Sequence, residues 1–381
     1  MSTRWCIVGP THPYRGGIPR HTTLMAEAIA ARGADLRVIT FRRQYPSWLY
    51  KGATDRDPDQ LPPVGFAPDP RLDSIGPRTW RSTALTIAQA HPDVLIAVWW
   101  HPFFAPMYGA LLRQVRRRSP KTIQVALCHN VIPHETSRAD RVLTRRALTP
   151  VDGLVVHAES QRELANSLLG PTPVLVTPHP TYPVDIDARS RRRAPGDPTN
   201  LLFFGLIRQY KGVDVLLRAL PMVLRERRVR LVVAGEFWEP TRSYTDLVDD
   251  LGIGDHVDLR PGYVPDADLM KLLSDADLVV APYRTATTSA AVEMAFGAGL
   301  PVVASRVGGL ADQVDHGVNG LLVPPDEPAA LASALIEATV PASLDELTQH
   351  ARADETIRTW DGLVEDVERF VRLLQDDTHP T

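Results

Sequence analysis

Short apolar runs rich in β-branched residues alternate with helical patterns from one end of the chain to the other, which is the signature of parallel sheets built from βαβ units. The strand candidates are "WCIVG", "LRVITF", "VLIAVW", "IQVALC", "GLVVHA", "VLVTP", "NLLFFG", "VRLVVAG", "VDLRPG", "LVVAPY" and "PVVAS". Eleven parallel strands exceed one comfortable sheet, and 381 residues are many for one core, so two domains are expected. Between "VLVTPHP" and "NLLFFG" the chain turns rich in Pro, Arg and Asp and loses all periodicity, which reads as a surface linker over 182–198. An N-terminal domain over 1–181 and a C-terminal one over 199–354 follow. The segment "ETIRTWDGLVEDVERFVRLLQ" predicts an amphipathic helix at about 355–375, with Ile357, Trp360, Leu363, Val364, Val367, Phe370 and Leu374 on one face. The expected fold is α/β: two Rossmann-like, doubly wound parallel-sheet domains facing across a cleft. Ligands bind outside the carboxyl ends of such strands, so the chemistry should sit in the loops that follow them.

Composition narrows the partners. Hydrophobic content of 44% and charged content of 23% suit a soluble globular protein, and 42 basic against 45 acidic side chains argue against bulk nucleic-acid binding. Cys6 and Cys128 both lie in apolar strand runs, so no disulfide is expected and a reducing compartment fits. The N-terminus has no signal-peptide pattern, which predicts a cytoplasmic protein. The apolar stretch over 94–112 has almost the length of a membrane span, but His101, Pro102 and Pro106 interrupt it; it reads as strand, loop and helix.

Several post-strand loops could carry chemistry. Gly16 and Gly17 precede a helix whose free N–H groups and dipole suit a phosphate, although two glycines that merely permit a turn would look the same. In "LLFFGLIRQYKGVDVLLRAL", Arg208 and Lys211 stand just ahead of a helix beginning near Val213, where cations are unfavourable unless an anion sits there too. A diphosphate site is one reading and a solvated loop the other. His129 directly follows a strand and can donate to a substrate or move a proton near neutral pH. His12, His101 and His179 follow strands as well and are weaker candidates. His134 and Glu135 hint at a metal pair, and Asp185/Asp187, Asp266/Asp268 and Asp275/Asp277 at a metal-holding motif. No metal site is expected, since the spacings fit no ligand set and the last two pairs read as a helix N-terminus and a helix-to-strand turn.

In order along the chain, "GGIPRHTTLMAEAIAARGADLRVIT", "HNVIPHE", "FFGLIRQYKGVDVLLRAL", "LVVAGEFWEP", "GYVPDADLMKLLSDADLVVAPYR", "GAGLPVVASRVGGLADQVDHGVNGLLVPPDEPAALASAL" and the Trp-containing last helix resemble the retaining GT-B glycosyltransferases of family four, the glycosyl transferases group 1. The resemblance covers nearly the whole chain. It implies a metal-independent hexosyltransferase that moves a sugar from a nucleotide donor, such as a UDP- or GDP-sugar, to a hydroxyl acceptor with retention. No cofactor is implied beyond the donor itself. By the same resemblance Gly16 and Gly17 approach the donor diphosphate, Lys211 and Arg208 neutralise it, and His129 holds the donor sugar. The backbone around Tyr263 and Val264 meets the base, and the last helix packs back on the first domain.

The sequence departs from the family twice. Leu206, not an arginine, follows the glycine that ends the strand, and Arg208 comes two positions later. The family's glutamate pair, eight positions apart, aligns with Ala286 and Met294, and Glu293 stands one residue early. Either the helix has shifted and Glu293 holds the ribose, or other groups make that contact. Thr287, Thr288 and Ser289 replace the first glutamate with small donors near a helix N-terminus. The missing pair leaves a non-catalytic sugar-nucleotide-binding partner or sensor as the alternative function. A nicotinamide oxidoreductase, with Arg42 and Arg43 on a 2′-phosphate, lacks the glycine fingerprint. Arg113, Arg116, Arg117 and Arg118 form a basic patch, read either as a solvated helix face or as a peripheral contact with an anionic membrane face or a lipid-linked acceptor. Donor sugar, base, acceptor and oligomeric state are not legible.

Overall fold

The structure is a computed structural model that describes residues 3–46, 48–49, 54–57, 61–133, 137–184, 196–354 and 358–378. It contains two sheets, each wholly parallel. The first holds β1 (Arg4–Val8), β2 (Asp35–Arg43), β3 (Asp69–Asp73), β4 (Val94–Trp99), β5 (Ile123–Cys128), β6 (Gly153–Val156) and β7 (Val174–Val176), in the order β3-β2-β1-β4-β5-β6-β7. The second holds β8 (Thr199–Phe204), β9 (Val229–Gly235), β10 (Val257–Pro261), β11 (Leu278–Ala281), β12 (Val302–Ser305) and β13 (Gly320–Val323), in the order β10-β9-β8-β11-β12-β13. In each sheet the strand order reverses once, between β1 and β4 and between β8 and β11, which makes these the positions where a doubly wound sheet opens a ligand crevice.

Two strands are additional to the eleven read from the sequence. β3, "DPRLD", is a polar edge strand that pairs with β2 through two register shifts, so it shows no alternation. β13, "GLLV", is only four residues long and sits between turn residues. The central strands β4 and β5 are buried along their whole length, as expected of parallel strands covered on both faces. The apolar stretch at 94–112 resolves into β4, a 3₁₀ turn at Pro102–Phe104 and the helix Ala105–Arg118. Among the described residues no helix is long and apolar enough to cross a membrane.

Contacts divide the chain into two compact units, one of Met1–Pro178 with Trp360–Thr381, the other His179–Thr359. The last helix, Trp360–Thr378, lays Leu363, Val364, Val367, Phe370, Val371 and Leu374 into the core of the first unit. Burying each such side chain is worth roughly 1.5–3 kcal/mol before the entropy of ordering it. Ile357 and most of the expected linker lie outside the described residues. Cys6 and Cys128 are free and buried, and burial pushes both thiols up, Cys6 to about 12.

Candidate active site

The second unit presents its cations at the β8/β11 reversal. After β8 the backbone of Ile207 pairs once more, with Phe237, which lengthens the loop and delivers Arg208 beyond it. The Arg208 guanidinium is exposed and rests over the rings of Trp238 and Tyr210, 5.1 and 5.5 Å from their centroids. A 3₁₀ turn, Gln209–Lys211, then leads through Gly212 into the helix Val213–Leu224. Gly212 is required twice over. Its φ is 68°, and a Cβ there would lie 2.0 Å from the Pro282 carbonyl oxygen, so only glycine lets this turn press on the loop after β11.

That approach seats Lys211. Its Nζ donates to the Tyr283 hydroxyl at 2.8 Å and lies 4.1 Å from the centre of the same ring. Burial works against the ammonium, but Tyr283 and Tyr210 more than offset it, and the pKa stands above the ordinary lysine value. Arg284 fastens the two loops together. It donates to both Asp214 carboxylate oxygens at 2.9 and 2.8 Å, to Asp326 at 2.9 Å and to the Gln209 carbonyl at 2.7 Å, while its backbone N–H donates to Tyr210. The hydrogen bonds to Asp214 raise the Arg284 pKa, and the same pairing, against the opposing effect of burial, lowers that of Asp214.

The segment that replaces the glutamate pair faces largely inward. Ala286 and Thr287 are buried, and Thr288 is half-buried. Ser289 is the N-cap of the helix Ala290–Gly297: its Oγ accepts from the Val292 N–H, and its own N–H donates to Gln313 Oε1 at 2.7 Å. The Ser289 N–H is thereby taken up by Gln313, while its Oγ accepts from Val292. Glu293 is 0% exposed; its Oε1 accepts from Gln313 Nε2 at 2.6 Å and pairs with Arg358 at 3.5 Å. Met294 is buried as well. Fully buried, the Glu293 side chain presents no surface to a ligand in this arrangement.

Tyr263, exposed, and Val264, half-buried, follow β10 and line a pocket of about 480 Å³ with Arg260, Asp268 and Lys271. Asp266 and Asp268 stand in the first turn of the helix Asp266–Asp275, and Asp277 accepts from the Asn200 N–H, the helix-end roles read from the sequence.

In the first unit, Gly16 (φ 107°) is the N-cap of the helix Gly17–Ala31, whose first turn carries no acidic residue. His129 follows β5 and packs edge-on against His21 of that helix, with centroids 4.6 Å apart. His157 and Trp360 close on His21 at 5.0 and 4.9 Å. The structure thus joins the Gly16–Gly17 turn to His129 through His21. Burial lowers the His157 pKa to about 4, despite its contact with the Thr177 carbonyl.

The weaker candidates have local partners. His101 caps the 3₁₀ turn, and His179 contacts the Pro180 carbonyl. Arg43 is bound to Asp73, which counts against a phosphate role in a dinucleotide site. Half of the basic patch has protein partners, since Arg113 donates to the Arg146 carbonyl and Arg116 pairs with Asp152. His134, Glu135, Asp185 and Asp187 lie outside the described residues, among which no group of three or more His, Cys, Asp or Glu could hold a metal ion. Tyr283, Arg284, Gln313 and His21 are the residues that sequence reasoning passed over. The first two stand in a loop already marked, whereas the pairing of Gln313 with Glu293 crosses twenty residues without a local signal.

Comparison with known proteins gives a consistent result. The family described as "Glycosyl transferases group 1" matches residues 198–339, and "Glycosyl transferase 4-like domain" matches 16–181. A D-inositol 3-phosphate glycosyltransferase from Catenulispora acidiphila is 35% identical over 49% of this chain, which spans 49% of that relative's length. A second, from Acidothermus cellulolyticus, is 28% identical over 92% of this chain and 84% of its own. Among solved structures, sucrose-phosphate synthase from Thermosynechococcus elongatus superposes with a TM-score of 0.73 at 21% identity, covering 97% of this chain and 99% of that one. Anabaena HepE in complex with UDP and glucose gives 0.68 at 16% identity, covering 96% and 99%. Two parallel Rossmann-like sheets, the loops after their strands and both family matches lead to one assignment: the chain belongs to the glycosyl transferases group 1 family and has the GT-B fold.

Proposed function

We propose that this protein transfers a hexose from a nucleoside diphosphate donor, such as a UDP- or GDP-sugar, to a hydroxyl acceptor, with retention and without a metal. The observation that carries the reading is the Lys211 ammonium, fixed at the β8/β11 reversal with Arg208 one turn away. As the bond from the anomeric carbon to the diphosphate breaks, its electron pair passes to a phosphate oxygen, and cations already in place stabilise that charge without reorganising. A donor phosphate oxygen accepts the acceptor hydroxyl's proton while the new bond forms on the leaving-group face. Tyr263 and Val264 border a pocket that would take the base. In the first unit, the Gly16–Gly17 turn offers an anion-tolerant helix start and His129 an imidazole for a substrate hydroxyl. HepE, of like fold, is known with UDP bound. The test is nucleoside diphosphate release from a panel of sugar nucleotides. Lys211→Ala with Arg208→Ala should slow it about a hundredfold, while EDTA should leave it unchanged. Equal turnover in wild type and double variant would refute the assignment.

The glutamates missing at 286 and 294 favour a second reading, a sugar-nucleotide sensor without turnover. Binding without any release of diphosphate from the whole panel would select it. A peripheral contact with an anionic membrane face rests on the exposed Arg117 and Arg118, and salt-sensitive sedimentation with anionic vesicles is its test.

A further inference from the structure

We propose that Gln313 and Glu293 are positioning residues that fix the Lys211 ammonium through Ser289 and Tyr283. The inference rests on the reading of Lys211 as the partner of the donor diphosphate. Four contacts make the path continuous. Glu293 Oε1 accepts from Gln313 Nε2 at 2.6 Å, and Gln313 Oε1 accepts from the Ser289 N–H at 2.7 Å. The Ser289 Oγ and the Tyr283 hydroxyl are 3.2 Å apart, and that hydroxyl accepts from Lys211 at 2.8 Å. Arg358 closes the far end, reaching both Glu293 and the Gln313 carbonyl.

Chemistry gives the path a direction. An ammonium has donors only, so the Tyr283 oxygen must accept from Lys211, which leaves its own proton for Ser289. The Gln313 amide is likewise oriented, its nitrogen toward the Glu293 carboxylate and the Ser289 carbonyl, its oxygen toward the Ser289 N–H. Tyr283, Ser289, Gln313 and Glu293 are all buried, where the low dielectric strengthens the hydrogen bonds that link them. The carboxylate retained at 293 therefore sets where a cation stands and makes no contact of its own with the donor. The groups that face Lys211 are Tyr283, Tyr210 and Arg208.

The experiment measures binding of UDP, GDP, ADP and inorganic pyrophosphate by calorimetry from neutral to alkaline pH. Tyr283→Phe removes one hydroxyl and keeps the ring. It should weaken diphosphate binding about tenfold and move the alkaline loss of binding to lower pH, a shift that loss of packing would not give. Glu293→Gln keeps an acceptor for Gln313 and should retain most of the affinity that Glu293→Ala loses. Unchanged affinity and an unchanged alkaline limb in Tyr283→Phe, with wild-type binding intact, would overturn the positioning path and leave the diphosphate reading standing. No binding of any probe to the wild type would overturn both.

Discussion

Lys211 and His157 show how one physical term, burial, has opposite outcomes in this protein. The two phenols around Lys211 outweigh burial and keep the ammonium charged, as its proposed phosphate role requires. For His157 the Thr177 carbonyl does not offset burial, and the pKa falls from 6.5 to about 4. Between those values the unfolded chain takes up the proton and the folded one does not. Stability present above pH 6.5 is therefore lost progressively as pH falls toward 4, by on the order of 3 kcal/mol. Melting temperatures across that window should show a flatter acid slope for His157→Gln than for wild type. Parallel slopes would mean that His157 already protonates in the folded protein.

The turn Gln209–Lys211 and the loop after β11 act together, because Gly212 lets them touch and Arg284 ties them. Gly212→Ala should cost roughly 1–3 kcal/mol of stability and most of the diphosphate affinity. Gly252→Ala, at φ 64° with open space around it, should cost stability alone. Asp214 adds a pH signature. Its carboxyl pKa lies below the ordinary 3.8, so the stability of its pair with Arg284 is present above 3.8 and lost as pH falls below it. The melting curves of wild type and Asp214→Asn should converge there. At this scale the sequence was legible where periodicity or a turn residue carried the signal, as for the helix start at Val213 and the Asp266 N-terminus. It was silent on β3, a polar edge strand, and on Gln313, whose partner is set by tertiary packing. The inward turn of Ser289 and Glu293 was hidden for the same reason, since a motif fixes a residue's place on a helix but not which neighbours consume its donors and acceptors.

Across the molecule, both sheets follow one rule: the residues proposed to meet the donor stand just after β1 and β5 in the first unit and just after β8 and β10 in the second. The strand alternation made that architecture readable from sequence alone, because parallel strands and their crossover helices leave a periodic record. Ligand identity leaves none. The central claim, that the second unit holds a nucleoside diphosphate against Lys211, is tested most directly by thermal shift of wild type and Lys211→Ala against UDP, GDP, ADP, CDP and dTDP. A ligand at a hundred times its dissociation constant adds about 2.7 kcal/mol, or roughly 5 °C or more for a unit of this size. Such a rise is expected for at least one diphosphate with wild type, and its loss in Lys211→Ala. No rise with any of them, or an equal rise in the variant, would contradict the claim.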